Sequence, residues 1–338
     1  MNGTTVKAIA ACLLVAVCLA VGSRARADCG SVPFYAPILA DLSIAEAGSG
    51  VLDAAVKLNR AALAGRKMID FDPLQVSVFE PQQRAIILWN GEEEILLLST
   101  DQRASERSAV LEVIPLPAEP KVRLGSFETF EAAQELVVRK RMWACAHPGA
   151  EAGLLQPAPS AGRIAFRRKM GAHDVTIAEV LRPEGFVQFV QQRLQESYRT
   201  PAAPIRPDFV ETIDSYLKEG FRWFAFDVIV LDDVTQSRQP IEYRFRSDSV
   251  FYPMRISRLE RGKTKVDLLV FSPFGATRFE GLPRRRFEIE RPLPVAASEV
   301  ESLDGQWAGF FPGQQELVMD QWSVEDKLKN LLSDVRVR

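Results

Sequence analysis

The sequence predicts an α+β protein with largely antiparallel β-sheets, made of hairpins and meanders, and with helices packed on the outside. Three observations predict it. In RAIILWNGEEEILLL (84–98) two apolar runs flank Asn90-Gly91, and both of these residues tolerate the positive φ that a two-residue hairpin turn demands. Neither arm alternates: 85–89 and 95–98 are apolar at every position, so both faces of both strands must be covered. The run RWFAFDVIVL (222–231) is likewise apolar on both faces except at Asp227. Helical periodicity fills stretches between such runs, as after Pro183 and Pro207.

The chain opens with Lys7, a 15-residue apolar run over 8–22, and Ala25-Arg26-Ala27 ahead of Asp28. That is the pattern of a secretory signal peptide over residues 1–27, and the run is short of the ~20 residues that a membrane-crossing helix needs. The expectation is a periplasmic or secreted protein with no membrane span after cleavage. Asp28 before Cys29 argues against lipid attachment. Cleavage removes Lys7, Arg24 and Arg26 and no acidic residue, so the formal charge falls from −2 to −5 over the 311 remaining residues. That balance argues against nucleic acid as a partner. The basic runs Arg167-Arg168-Lys169 and Arg284-Arg285-Arg286 sit beside Phe166 and Phe287 and read as solvated strand faces.

Cys12 and Cys18 leave with the signal, so Cys29 and Cys145 are the mature thiols, and in an oxidising compartment a disulfide between them is expected. Two free thiols are the alternative. Closing so long a loop stabilises by at most about 4.7 kcal/mol in chain-entropy bookkeeping. His147 beside two thiols does not make a zinc site, since a fourth ligand and the spacing are missing. The mass of the exported protein tests both expectations: it should begin at Asp28 and take up no thiol label until reduced. A retained Met1 refutes the first, and two labels on denatured, unreduced chain refute the second.

Residues 28–70 read as an N-terminal helical segment, with Gly48-Ser49-Gly50 splitting an Ala/Leu-rich stretch at 38–67 into two helices. The α+β body covers 71–338, as one unit or as two lobes, 71–146 and 163–338, joined by a Pro/Gly-rich loop at 147–162. A strand from Leu74, the two hairpin arms and 109–116 should be neighbours. A helix capped by Ser126 should run from Phe127 to about Met142, with Glu128 in its first turn and Arg139, Lys140 and Arg141 in its last. After the loop come strands at 163–170 and 174–181. Two helices follow, one with Phe186, Phe189, Val190 and Leu194 on a single face and one that buries Phe209, Ile213, Tyr216 and Leu217 before Gly220. The stretch 241–246 alternates, with Ile241, Tyr243 and Phe245 inward and Glu242, Arg244 and Arg246 outward, as a partner for 222–231. A further hairpin is expected from 250–258 and 265–271. The aromatic tail from Glu299 should dock on the body and end in a helix capped by Ser323.

The segments EPQQRAIILWNGEEEILLLSTD, GSFETF, KMGAHDVTI, YLKEGFRWFAFDVIVL and QPIEYRFRSDSVFYPMRIS, in this order, resemble the exported bacterial and archaeal family known as domain of unknown function 2330. The likeness runs from about Phe71 to the C-terminus. Cys29, Gly30, Pro33 and Phe34 are similar to the family's Asp-x-Gly-x-x-Pro-Phe opening with a cysteine substituted in, and the helical insert that follows departs from it. The resemblance implies export, a common fold and no known reaction.

There is no Gly-x-Ser-x-Gly elbow, His-Glu-x-x-His, phosphate loop or EF-hand loop in the sequence. The first reading is therefore a non-catalytic envelope module without cofactor or metal, binding a protein, glycan or ligand through its sheet edges and proline-rich loop. The alternative is a hydrolase or other enzyme built around Asp227 or His173. His173-Asp174 starts a strand, where neighbours point to opposite faces, so a strand-end role fits that pair better than an acid–base dyad. Asp227 shares a face with Trp223, Ala225 and Ile229, where an unpaired carboxylate is costly. With an arginine or backbone amide as its partner, Asp227→Asn should lose several kcal/mol, whereas an acid held for chemistry predicts no loss. Glu92-Glu93-Glu94 read as the solvated rim of the hairpin, with a cation shared with Asp101 as the other reading. Convergence of Asp227 and His173 on one pocket separates the two function classes.

Overall fold

A computed structural model describes residues 30–34, 76–105, 108–146, 173–198, 205–231, 233–260, 262–275 and 277–338. After β1 (Gly30–Phe34) comes β2 (Val78–Trp89), a single strand that takes in both the stretch after Leu74 and the first hairpin arm. The second arm, β3 (Glu93–Ala104), pairs with it antiparallel, with Trp89 opposite Glu94. The hairpin stands as predicted, but its corner lies one residue later. Asn90 N–H donates to the Glu93 carbonyl at 3.2 Å, and Asn90 Oδ1 accepts from the N–H groups of Glu92 and Glu93. Gly91 takes the positive φ, 101°, and Asn90 closes the turn through its side chain.

The next strand, β4 (Ser108–Leu116), does not continue this sheet, contrary to expectation. It is buried at every position and so needs cover on both faces. Beyond it lie β5 (Lys121–Leu124), α1 (Phe127–Ala146), β6 (Asp174–Glu179), α2 (Pro183–Tyr198), α3 (Pro207–Lys218) and β7 (Trp223–Leu231). β4 belongs to a four-stranded antiparallel sheet of order β1-β4-β7-β6. On one face of this sheet Phe224 and Phe226 meet Phe186 of α2, which stacks on Phe209 of α3. The other face looks toward the hairpin.

The hairpin sits in a mixed, nine-stranded sheet, completed by β8 (Gln236–Ser237), β9 (Ile241–Arg246), β11 (Lys263–Ser272), β13 (Glu288–Ile289), β14 (Leu293–Ala296) and β15 (Glu316–Lys327). Its main path is β13-β15-β11-β2-β3-β9-β5. β10 (Val250–Tyr252), β12 (Phe279–Gly281) and β16 (Val335–Val337) form a small third sheet. Three pairings depart from the sequence reading. β9 pairs with β3 and β5 and not with β7, β10 pairs with β16, and β11 pairs with β15 and, in parallel, with β2. The helix expected after Ser323 is strand instead. β15 spans it with period-two burial, Leu317 and Met319 packing with the aromatic tail while Trp322 and Val324 join the inter-sheet core.

Alternate residues of the hairpin serve different cores, which accounts for its apolar character on both faces. Ala85, Ile87, Leu96 and Leu98 pack toward the four-stranded sheet, and Ile86, Leu88, Ile95 and Leu97 join Ala133, Leu136 and Val137 of α1 with Trp307, Phe310 and Phe311. The tail thus docks on the body, and in doing so it buries Glu242, expected to face solvent. That carboxylate accepts from Trp307 Nε1 at 2.8 Å and pairs with Arg123. In α1 the Ser126 hydroxyl accepts from Glu128 N–H at 3.1 Å, as a cap should. The helix runs on to Ala146, so Arg139, Lys140 and Arg141 fall short of its last turn and pair sideways with Glu299 and Glu290. Strands from before 147 and after 162 interleave in both large sheets, β4 beside β7 and β9 between β3 and β5. Of the segment at 28–70 expected to be helical, the described part, Gly30–Phe34, is strand; its remainder, Cys29 included, the loop at 147–162 with His147, and the strand expected at 163–170 lie outside the described residues. No helix of the described residues is long and apolar enough to cross a membrane.

Candidate functional site

A strand alternates its side chains, so an acid in an apolar strand that is covered on both faces must enter one core or the other. Asp227 in β7 and Glu112 in β4 are two such acids, and the register places them directly opposite each other. Their row continues to Ser31 in β1 and Val175 in β6, crossing the face of the four-stranded sheet that looks toward the hairpin. Paired strand residues lie about 5 Å apart at Cβ, which makes these two carboxyls electrostatic neighbours.

His173, immediately before β6, donates from Nδ1 to Asp227 Oδ2 at 2.5 Å, and the two side chains are only 5% and 1% exposed. A carboxylate can only accept, so this contact fixes the proton on Nδ1 and leaves Nε2 as the nitrogen open to another group. Asp174 opens β6 as the next residue. An acid from the adjacent strand holds His173. One partner of Asp227 is thus an imidazole.

From the facing sheet Gln102 donates to the Glu112 carboxyl. Burial pushes Glu112 above the usual carboxylic range and the neighbouring Asp227 adds to the rise, while the Gln102 hydrogen bond, Arg238 and His173 oppose it. Arg238 is placed by its backbone, whose N–H donates to Thr100 at 2.9 Å and whose carbonyl accepts from Ser99 Oγ at 3.1 Å. Between the sheets lies a cavity of about 20 Å³, bounded by Thr100, Glu112, His173, Arg238 and Tyr243 with apolar walls from Leu98, Ile114 and Ile241. A water needs about 10–15 Å³ by this measure. The space takes one or two waters, or one small polar group.

The hairpin acids, for which a cation shared with Asp101 is the alternative reading, have other partners. Glu93 pairs with Arg244 at 2.6 Å, and Asp101 pairs with Arg84 and accepts from Ser237 at 2.7 Å. Glu94 is no part of a solvated rim: it is fully buried and accepts from Phe251 N–H at 2.6 Å. Among the described residues no group of three or more histidines, cysteines and acids is placed to hold a metal ion. The sequence reading missed Glu112 and Arg238. Glu112 carried the same signal as Asp227, one acid in an apolar strand, whereas Arg238 lies in a connecting segment without periodicity.

Fold and site define an α+β protein in which two β-sheets enclose a carboxyl–imidazole cluster and a small cavity with polar and apolar walls. The chain belongs to the family DUF2330, described as an uncharacterized protein conserved in bacteria, whose profile matches residues 61–281. The match starts earlier and ends sooner than the resemblance read from the sequence. Comparison with curated proteins gives no match. Among solved structures the chain is similar to the crystal structure of baculovirus P35, at 8% identity and a TM-score of 0.35, over 79% of this chain and 98% of that one.

Proposed function

We propose that the mature chain is an exported, non-catalytic binding module, with its helices as outer cover and the inter-sheet cavity as its ligand site. The observation that carries this reading is the size and lining of the cavity. Polar residues line a space of about 20 Å³, which admits the terminal group of a ligand. A scissile bond carries substituents on both sides and needs more room than that. Periplasmic or secreted location rests on the signal pattern at 1–27, and the Cys29–Cys145 disulfide rests on that location.

The enzyme reading stands second, favoured by the contact between His173 and Asp227. An imidazole with a carboxylate at Nδ1 and a free Nε2 is the arrangement of a general base. One experiment separates the two. Mature protein is mixed with a small-molecule extract of the exporting cell and followed by saturation-transfer NMR. A binder whose signal is lost in Arg238→Gln and which persists unchanged over hours is the expected result. Product signals that grow with time overturn it in favour of an enzyme, and the lack of any binder overturns it outright.

A further inference from the structure

The side of α1 that faces away from the core carries an apolar patch bracketed by charge. Ala133, Leu136 and Val137 turn inward, and the helical period aligns Glu131, Glu135, Val138 and Met142 along the opposite side. Val138 is 50%, Met142 68% and the neighbouring Trp143 57% exposed. Among the described residues eight large apolar side chains are exposed, and three of them fall within two turns of this one helix, a cluster where single residues are the ordinary case. The acids beside them are not balanced within the chain. Glu131 and Glu135 are exposed and hold no ion pair or hydrogen bond among the described residues. Glu135 stands one turn before Arg139, the favourable order for a pair within a helix, yet Arg139 turns to Glu299 at 3.4 Å. Lys140 already holds Glu299 at 2.5 Å and Arg139 is 63% exposed, so that contact contributes little. Arg141 is engaged by Glu290 and Gln321.

From this arrangement we infer that α1 is a self-association surface, which pairs antiparallel with α1 of a second copy across a two-fold axis. Glu135 and Arg139 lie one turn apart on the same flank of the exposed line. With the axis level with the midpoint of that turn, Glu135 of each copy meets Arg139 of the other, the two Val138 side chains lie between them, and Met142 covers the methylenes of Glu131. A two-fold contact has to be self-complementary, and a helix with unpaired acids in its first half and an exposed cation in its second meets that condition. An anionic bilayer or a nucleic acid would instead bring like charge to Glu131 and Glu135. A single helix pair buries less than the ~1,200 Å² at which stable complexes begin, so the dimer forms reversibly, at micromolar concentrations or above. The surface is separate from the ligand site. α1 packs on the face of the nine-stranded sheet that is turned away from the inter-sheet cavity, so pairing leaves both cavities uncovered and makes the module two-headed.

Sedimentation velocity of the mature protein across the micromolar range tests this surface. Expected are a concentration-dependent monomer–dimer equilibrium for the wild type and at least tenfold weaker association in Glu135→Arg and in Arg139→Glu, each of which sets like charges face to face. An equimolar mixture of the two variants should associate as well as the wild type, because each then supplies the charge that the other lacks. Met142→Lys, which alters neither member of that pair, should weaken the dimer too. All three positions are exposed, so the substitutions leave the fold in place. A wild type that stays monomeric throughout overturns the inference. So does a dimer that the single charge reversals leave intact, or a mixture that associates no better than its components.

Discussion

Replacing His173 by alanine is expected to lower the stability of the protein by about 3–5 kcal/mol, the usual penalty for removing one partner of a buried pair. The imidazole is nearly enclosed and its Nδ1–H donates to an equally enclosed Asp227, so the variant takes a charge-assisted hydrogen bond from a carboxylate that water does not reach. The reciprocal change, Asp227→Asn, should be milder, about 1–2 kcal/mol. The amide oxygen still accepts the Nδ1 proton, and Glu112 is relieved of a like charge directly opposite. Denaturant midpoints for the wild type and both variants, at unchanged m-value, measure the difference. A His173→Ala midpoint equal to wild type would mean that the pair contributes nothing to the fold.

The second large effect is a decline of stability as pH rises from about 4.5 toward 8. Glu260 accepts from the Ser31 hydroxyl at 2.7 Å and from its N–H at 3.3 Å, yet burial outweighs these and the field of Arg206 and pushes its carboxyl up to about 7. Glu94 is raised well above the usual range by burial, against the pull of the Phe251 N–H, and Glu112 is raised as well. A carboxyl raised in the folded state binds its proton more tightly there than in the unfolded chain. Its stabilising contribution is therefore complete below the unfolded value near 4.5 and is lost as pH passes through the folded value. For Glu260 alone the loss is about 3 kcal/mol between pH 4.5 and pH 8. Glu260→Gln, which cannot ionise, should flatten the profile above pH 5, and Glu94→Gln should raise the midpoint at neutral pH. Midpoints at pH 5, 6, 7 and 8 test this, and a stability that climbs across that window contradicts it.

The hairpin at Asn90-Gly91, the faces of α2 and α3 and the docking of the aromatic tail were legible because each is encoded within about a dozen neighbouring residues. Strand pairing was not legible. The runs at 109–116 and 222–231 announced that both of their faces are covered but not by what, and nothing local says that they pair with each other and not with 93–104 or 241–246. The site shares this limit. Asp227 declared itself by its apolar strand, and His173 by its place before another, but their contact depends on β6 lying beside β7. Glu112 becomes part of the cluster only through the register that sets it against Asp227. Glu242 and Glu94 were misplaced for a related reason: the elements that bury them come from Trp307 and Phe251, far along the chain.

The parallel pairing of β2 with β11 sets a timetable for folding. Gln82 lies opposite Lys265 and Leu88 opposite Phe271, and β11 is backed in turn by β15 near the end of the chain. The hairpin can form early from its own turn, but one of its long edges stays bare until nearly the whole polypeptide is present. A chain still on the ribosome therefore exposes an apolar hairpin without the strands that complete its sheet. Late, cooperative closure of this sheet follows from that topology.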